Sequence, residues 1–391
     1  MNVRRVALVA GGLSKFGVRQ ATYRDLIAEA GKAAFDSAAG LAPRDIEGFL
    51  LSTVMPERFV FQTHVAPLAA ETLGVSPSKL IARVELLCAS GSSALRLAYG
   101  FIAAGLADVI MVVGAEKMYT PNAAETVHHT LAAGDREWDA IHGLTAPPGF
   151  ALIAQQHMKE YGTTKEQLAL VSVKNRRNGA RNPIAQFRKP VTVEEVFASK
   201  PVAKPLNLFD CCPITDGAAA VVLASEDRAK DFTDRPIWIW GTGQAGGGNN
   251  VANVPGWAQW PRLRLAARNA YEMAGIKADD VDVAEVHDCF TISEIIEYEE
   301  LGFCEKGEGG DFVEKGLSDY GGKVVVNPGG GLLSRGHPFG ATGVAQGIEM
   351  MQQLRGEAGE RQVPGAKIGL THNLSGFATE HTIMIYGRDP K

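Results

Sequence analysis

The stretch 84-VELLCASGSSAL-95 joins a short apolar run, Leu86 and Leu87, to a cluster of small residues, Ala89 to Ser93, and then to alanines and leucines at helical spacing. This order predicts a strand over 80–87 feeding a helix near 90–104, with Cys88 on the junction. A helix N-terminus offers unpaired N–H groups and a partial positive charge, so the position predicts a lowered thiol pKa and a nucleophilic thiolate. The plainer alternative is a buried structural cysteine, because a free cysteine packs as a small hydrophobe.

Outward from this junction, apolar β-like runs alternate with amphipathic stretches, the rhythm of an α/β fold. Strands are predicted over 4–10, 46–53, 108–117 and 216–225, with a helix over 22–38. A second series follows: strands over 237–243, 281–289 and 321–331, helices near 261–275, 291–301 and 340–355, and two closing strands in "AKIGLTHNLSG" and "HTIMIYG". Residues 119–208 break the rhythm, being richer in Pro, His, Asn and Arg. The expected organisation is a duplicated unit, with 1–118 and 209–232 as the first half, 233–391 as the second, and 119–208 inserted between strands.

The chain has 391 residues, 46% of them hydrophobic and 21% charged, a balance that excludes disorder as the main state. Its net charge of −5 argues against general nucleic-acid binding. No window reaches the ~18 apolar residues of a membrane span, and the start "MNVRRVALVAGG" reads as a first strand rather than a leader. The expectation is a cytoplasmic protein whose five cysteines are free thiols.

Three further loops carry reactive residues. "SRGHPFGATG" (334–343) sets His337 in a glycine-rich turn before a helix. "EVHDCF" (285–290) ends a predicted strand with His287 and Cys289, which period two would point the same way. "THNLSGF" (371–377) is another strand end followed by a small-residue turn. A zinc site lacks further ligands at C-x-x-C or H-x₃-H spacing, so no metal is expected.

Together these motifs resemble the thiolases, more narrowly those related to sterol carrier protein thiolase and their archaeal and bacterial relatives. "CAS" (88–90), "HDCF" (287–290) and "GHP" (336–338) match the family's loops in order, and the resemblance spans essentially the whole chain. It implies a fold of two βαβαβαββ halves in five layers, α-β-α-β-α. Where common thiolases carry Asn-Glu-Ala-Phe this chain has His-Asp-Cys-Phe, and Asn373 stands where they place a second catalytic cysteine. By resemblance Cys289 takes over that role. Cys88 would carry the acyl group, His337 would accept its proton, His287 would donate to a thioester oxygen, and the N–H groups of Cys88 and Ser375 would hold the other oxyanion.

The implied substrate is coenzyme A with its acyl thioesters, and the implied assembly a homodimer or dimer of dimers, with a small zinc-ribbon/OB-fold partner in several relatives. Acetoacetyl-CoA and aromatic 3-oxoacyl-CoAs such as benzoylsuccinyl-CoA are the candidate substrates. For the nucleotide phosphates the sequence offers Lys174, Arg176, Arg177, Arg181, Arg188 and Lys189, a run without acidic residues between Glu166 and Glu194. "GQAGGGNN" (243–250), including Gly246 and Gly247, reads as a turn near the pantetheine channel. His128, His129, Trp138 and His142 fall in the region expected to shape the acyl pocket, while Cys211 and Cys212 are expected to pack beside the following strand. Three alternatives remain: a ketoacyl-carrier-protein synthase, which "GHP" with "HDCF" opposes; a retro-aldolase on the same fold, which Cys88 opposes; and a non-catalytic acyl-CoA-binding scaffold, which retention of the reactive side chains opposes.

Overall fold

The computed structural model describes residues 4–249 and 256–391. Its first half runs β1 (Val6–Leu13), α1 (Tyr23–Asp36), β2 (Gly48–Ser52), α2 (Val65–Thr72), β3 (Leu80–Val84), α3 (Ser90–Ala103) and β4 (Val109–Glu116). Four helices of the insertion follow: α4 (Ala123–Thr130), α5 (Ala146–Tyr161), α6 (Lys165–Ala180) and α7 (Val193–Ala198). Strand β5 (Gly217–Ser225) then completes the half. The second half repeats the pattern as β6 (Ile237–Gly246), α8 (Pro261–Ala274), β7 (Val283–Glu285), α9 (Thr291–Glu300), β8 (Val325–Val326), α10 (Phe339–Arg355), β9 (Ile368–Ser375) and β10 (Glu380–Gly387).

The duplication is plain in the strand order. The first half pairs as β3-β2-β4-β5-β1 and the second as β8-β7-β9-β10-β6, the same permutation of chain order in each. In both, the first three are parallel and the last two antiparallel. The halves meet where β1 and β6 pair over Ala7↔Trp238 and Leu8↔Ile237.

Alternation along each strand builds three cores. In the first half Ala7, Val9, Phe49, Leu51, Val109 and Met111 face α1 and α2, while Val6, Leu8, Leu50, Ile110 and Val112 face the opposite way. There they meet Leu95, Ala98 and Ile102 of α3 and Val344 and Ile348 of α10, which also touch Met384 and Tyr386 of the second sheet. A third cluster joins Leu370 and Ile383 to α8, α9 and the inserted helices α5 and α6. The layers are thus helices, sheet, the central pair α3 and α10, sheet, helices. Burial on both faces explains why β4 reads as the unbroken apolar run VIMVV before Gly114.

The central helices are held at backbone distance. A Cβ on Gly91 would fall 2.8 Å from the Val344 nitrogen, one on Gly343 2.3 Å from the Ser92 nitrogen, and one on Gly340 2.3 Å from the Ser52 oxygen. This contact sets the loops before α3 and before α10 side by side. Gly343→Ala is expected to force the two helices apart and to cost about 1–3 kcal/mol, the usual penalty for overpacking a tight core. Thermal unfolding against the parent protein measures it, and an unchanged Tm would show that the contact is slack.

Candidate active site

Cys88 lies in a single 3-10 turn, Leu87–Ala89, between β3 and α3. Leu87 adopts φ +44°, a left-handed conformation costly for a branched side chain. Ser90 fixes the turn by accepting from the Leu86 N–H at 2.8 Å and donating to the Leu87 carbonyl at 2.6 Å. Burial raises the Cys88 pKa, and the carboxylates of Glu116 and Glu85 push the same way. The lowering expected from the helix N-terminus is opposed here by desolvation, which favours the neutral thiol.

His337 approaches from the other half. Its N–H donates to Thr215 Oγ1 at 3.0 Å, and the next turn is tied down where Gly340 N–H donates to Glu116 Oε2 at 2.9 Å. Glu116 also accepts from the N–H groups of Val54 and Met55, so one buried carboxyl fastens the ends of β2 and β4 to the histidine loop. The His337 ring is oriented by Thr342. The threonine hydroxyl spends its one hydrogen on the Pro338 carbonyl at 2.9 Å, so the 2.7 Å contact to His337 Nδ1 must be donated by the ring. The Nε2 of His337 is then a bare lone pair, without a partner among the described residues. Burial, then the Arg335 charge, pushes the pKa of this ring down to about 3. A ring nitrogen each of His337 and His287 and the Cys88 sulfur lie within 4.8 Å of one another. The same three donors are spaced to share a soft divalent ion, although a closed zinc site takes a fourth.

His287 and Cys289 are not on a strand as the alternation predicted. β7 ends at Glu285, because Val286 N–H donates to Asn327 Oδ1 and His287 N–H to Glu297 Oε2, side-chain acceptors that replace the ladder. His287 is fully buried, and its ring stands edge-on to His337 with centroids 4.8 Å apart. Desolvation holds its pKa well below the ordinary histidine value. Cys289 has its sulfur 3.6 Å from Ser293 Oγ, and burial raises its pKa.

Cys88, Cys289 and His337 open onto one cavity of about 410 Å³. Its walls are mostly apolar: Met118, Leu144, Phe150, Ile214, Phe290 and Phe377. Phe150 and Phe290 stack with centroids 4.5 Å apart. Cys211 and Cys212 also reach this wall, which the sequence had assigned to packing. Ser375 ends β9 nearby and borders an adjoining cavity with Leu87 and Gly376.

The basic run does not form one patch, and none of its members lines this cavity. Lys174 is buried against Glu294, Arg176 is buried with its guanidinium 4.0 Å above the Phe187 ring, Arg177 pairs with Asp319, and Arg181 stacks 5.0 Å over Tyr320. Desolvation lowers the Arg176 pKa to about 10. Arg177, Arg188 and Lys189 are exposed. Lys174 and Arg176 thus brace α6 from within, while Arg177, Arg188 and Lys189 stay at the surface. Gly246 closes β6, and Gly248 N–H donates to Glu380 Oε1 at 3.3 Å; Asn250 of the same run lies outside the described residues. His128, Trp138 and His142 are exposed and His129 packs edge-on against Phe59, so the pocket wall of α4 is Thr126, Val127 and Thr130 instead. The sequence reading gave no role to Thr342, Gln346, Ser92 or Glu116. A glutamate closing the apolar run of β4 and a hydroxyl one turn past His337 were the available signals.

The comparisons agree with this architecture. Residues 6–227 match the family described as "Thiolase, N-terminal domain", and residues 243–388 match "Thiolase C-terminal domain-like". The chain is 43% identical to an acetyl-CoA acetyltransferase of Methanothermobacter thermautotrophicus, over 99% of this chain and 100% of that one. It is 40% identical to the benzoylsuccinyl-CoA thiolase subunit BbsB of Thauera aromatica, over 78% of each. Among solved structures, the Ltp2-ChsH2(DUF35) aldolase aligns with a TM-score of 0.85 and 27% identity over 100% of both chains. The fold, the paired halves and these relatives lead to one conclusion: the chain belongs to the thiolase family, in the part of it that includes sterol carrier protein 2, and it is an acyltransferase.

Proposed function

We propose that the chain cleaves a 3-oxoacyl-CoA with coenzyme A, or runs the same steps backwards as a Claisen condensation, through an acyl-Cys88 intermediate. The observation that carries this reading is the meeting of the Cys88 thiol and the bare His337 nitrogen at one apolar cavity. Cys88 gives its proton to His337 Nε2 as sulfur attacks the C3 ketone. The C2–C3 bond then breaks, leaving the acyl fragment on sulfur as a thioester and the electron pair on the departing thioester as an enolate. Cys289 protonates C2 and becomes a thiolate. In the second half, the coenzyme A thiol gives its proton to Cys289 and takes the acyl group, while Cys88 recovers its proton from His337. His287 Nε2–H and protonated His337 hold the enolate oxygen, and the N–H groups of Cys88 and Ser375 hold the oxygen on the transferred carbon.

In this reading the insertion, 119–208, supplies much of the wall for acyl group and pantetheine, between the halves 1–118 with 209–232 and 233–391. A cavity of about 410 Å³ with stacked aromatics suits a bulky, aromatic 3-oxoacyl group of the benzoylsuccinyl kind, the substrate class named for one relative. Acetoacetyl-CoA is the smaller alternative, supported by the archaeal acetyltransferase. Self-association into a homodimer or dimer of dimers is supported by β3, an edge strand with Ile81 44% exposed, and by the exposed ring of Phe61 at 96%. A small partner protein, of the zinc-ribbon/OB-fold kind, is supported by the two-component aldolase among the structural neighbours. A cytoplasmic setting accords with the helices: among the described residues, none is long and apolar enough to cross a membrane.

Cys88→Ser is expected to abolish acyl transfer without unfolding the chain, and mass spectrometry of the parent protein with an acyl-CoA should place the adduct on Cys88. Carbon–carbon cleavage that survives in Cys88→Ser, with no adduct in the parent, would make the aldolase reading the better one.

Cys289→Ala is expected still to form the acyl-Cys88 adduct from an acyl-CoA, because coenzyme A can depart as its thiolate, and to slow cleavage and condensation by ~10²–10⁴-fold, the usual worth of general acid–base catalysis. Exchange of acetyl-CoA methyl hydrogens in deuterated water reports the step, and wild-type exchange in this variant would remove Cys289 from the proton transfer.

The resting pair is a neutral thiol and a neutral imidazole. With the His337 pKa at about 3 and that of Cys88 raised, neither group changes charge near neutrality. Single-turnover acylation should therefore be nearly flat in pH from about 5.5 to 8.5, whereas an ordinary histidine would impose an acid limb near about 6.5. Observation of that limb would mean that the base is not buried as described.

A further inference from the structure

Both catalytic imidazoles present an Nε2 that has no partner among the described residues, yet their Nδ1 atoms face opposite kinds of neighbour. We infer that Asn373 is a positioning residue that fixes His287 in its Nε2–H tautomer, making this ring a hydrogen-bond donor beside a His337 that is an acceptor; the inference rests on the donor role proposed for His287 above.

The assignment starts at the Val286 carbonyl, which can only accept. Gln346 Nε2 lies 3.1 Å from that oxygen, so the NH₂ of Gln346 faces Val286 and its oxygen faces Asn373. Asn373 must then turn its own NH₂ to Gln346 Oε1 at 2.7 Å, and the second hydrogen of that group points to His287 Nδ1 at 3.0 Å. On the far side Ser92 donates its hydroxyl to Asn373 Oδ1, so the three contacts of the amide agree on one orientation. A ring nitrogen that accepts carries no proton. Burial keeps His287 neutral, and its single proton is therefore on Nε2.

At His337 a main-chain carbonyl starts an equally short chain with the opposite result. The Pro338 oxygen claims the Thr342 hydrogen, the ring must donate from Nδ1, and Nε2 is left bare. Ser92 is on α3, Gln346 on α10 and Asn373 on β9, so the donor tautomer is dictated by elements of both halves. A thiol or hydroxyl at 373 either donates or accepts and would leave the tautomer undetermined. An asparagine whose oxygen is already engaged leaves no choice.

The test uses the full-length protein labelled with ¹⁵N-histidine, whose nine imidazoles give separable nitrogen correlations. The His287 signals are assigned by their loss in His287→Ala. In the parent protein His287 should be Nε2–H and His337 Nδ1–H. In Asn373→Leu, His287 should populate Nδ1–H, exchange of acetyl-CoA methyl hydrogens should slow by ~10–100-fold, the worth of one buried hydrogen bond left unmade, and acylation of Cys88 should stay within about threefold of the parent rate. An unchanged His287 tautomer, or wild-type exchange, in Asn373→Leu would overturn the inference. If that variant does not fold, Gln346→Leu carries the test, since it leaves Asn373 in place but free to reverse its amide, with the same shift expected. The two readings fail separately: wild-type exchange in His287→Ala would remove the donor role, while the spectrum of the unliganded protein reports what sets the tautomer whichever step His287 serves.

Discussion

The close approach of α3 and α10 at their N-terminal ends is the constraint on which the rest depends. Cys88 comes just before one helix and His337 just before the other, and the two helices belong to different halves of the duplicated fold. A side chain at Gly91 or Gly343 would collide with the backbone of the facing helix, and one at Gly340 with the end of β2, so each would push these backbones apart. Glu116 reinforces the same contact from the side, because its carboxyl gathers N–H groups from both halves. The site is thus positioned by main chain rather than by flexible side chains, which suits a reaction that needs its groups preorganised.

Burial at this junction sets the chemistry as well as the geometry. It raises the thiol pKa and lowers those of the imidazoles, which favours the uncharged form of each. Charge develops only as substrate reacts, where oriented donors in a low-dielectric cavity act most strongly. The surrounding charged groups are committed elsewhere: Arg335 pairs with Glu285 and Lys174 with Glu294, both beneath the loops that carry His287 and His337.

Much of this was legible in the sequence. The αβ rhythm, the duplication and the junction at Cys88 follow from residue spacing, since buried parallel strands and small-residue helix starts leave strong local signals. Cys88 and His337 stood out because glycine and small residues flank them. What escaped was whatever depends on distant groups. The thiol pKa is governed by enclosure that a linear reading does not contain. His287 and Cys289 leave the strand because Asn327 and Glu297, remote in sequence, satisfy the backbone. The basic run 174–189 looked like a patch when counted along the chain, but a helix turns successive residues by about 100°, and α6 sends Lys174 and Arg176 inward. Asn373 was read only as a missing cysteine, since its partners come from three separate elements.

The insertion has a consequence for how the chain is made. Strand β5 lies between β1 and β4 in the sheet, yet residues 117–216, which separate it from β4 in the chain, must be synthesised before it appears. Until then β1 and β4 each present an edge with no neighbour, and the apolar faces of both wait uncovered. At ribosomal rates of ~5–20 residues per second this exposure lasts for seconds. A nascent chain of this kind has a long interval in which edge-to-edge association competes with folding, and it is there, rather than in the finished molecule, that chaperone dependence would arise.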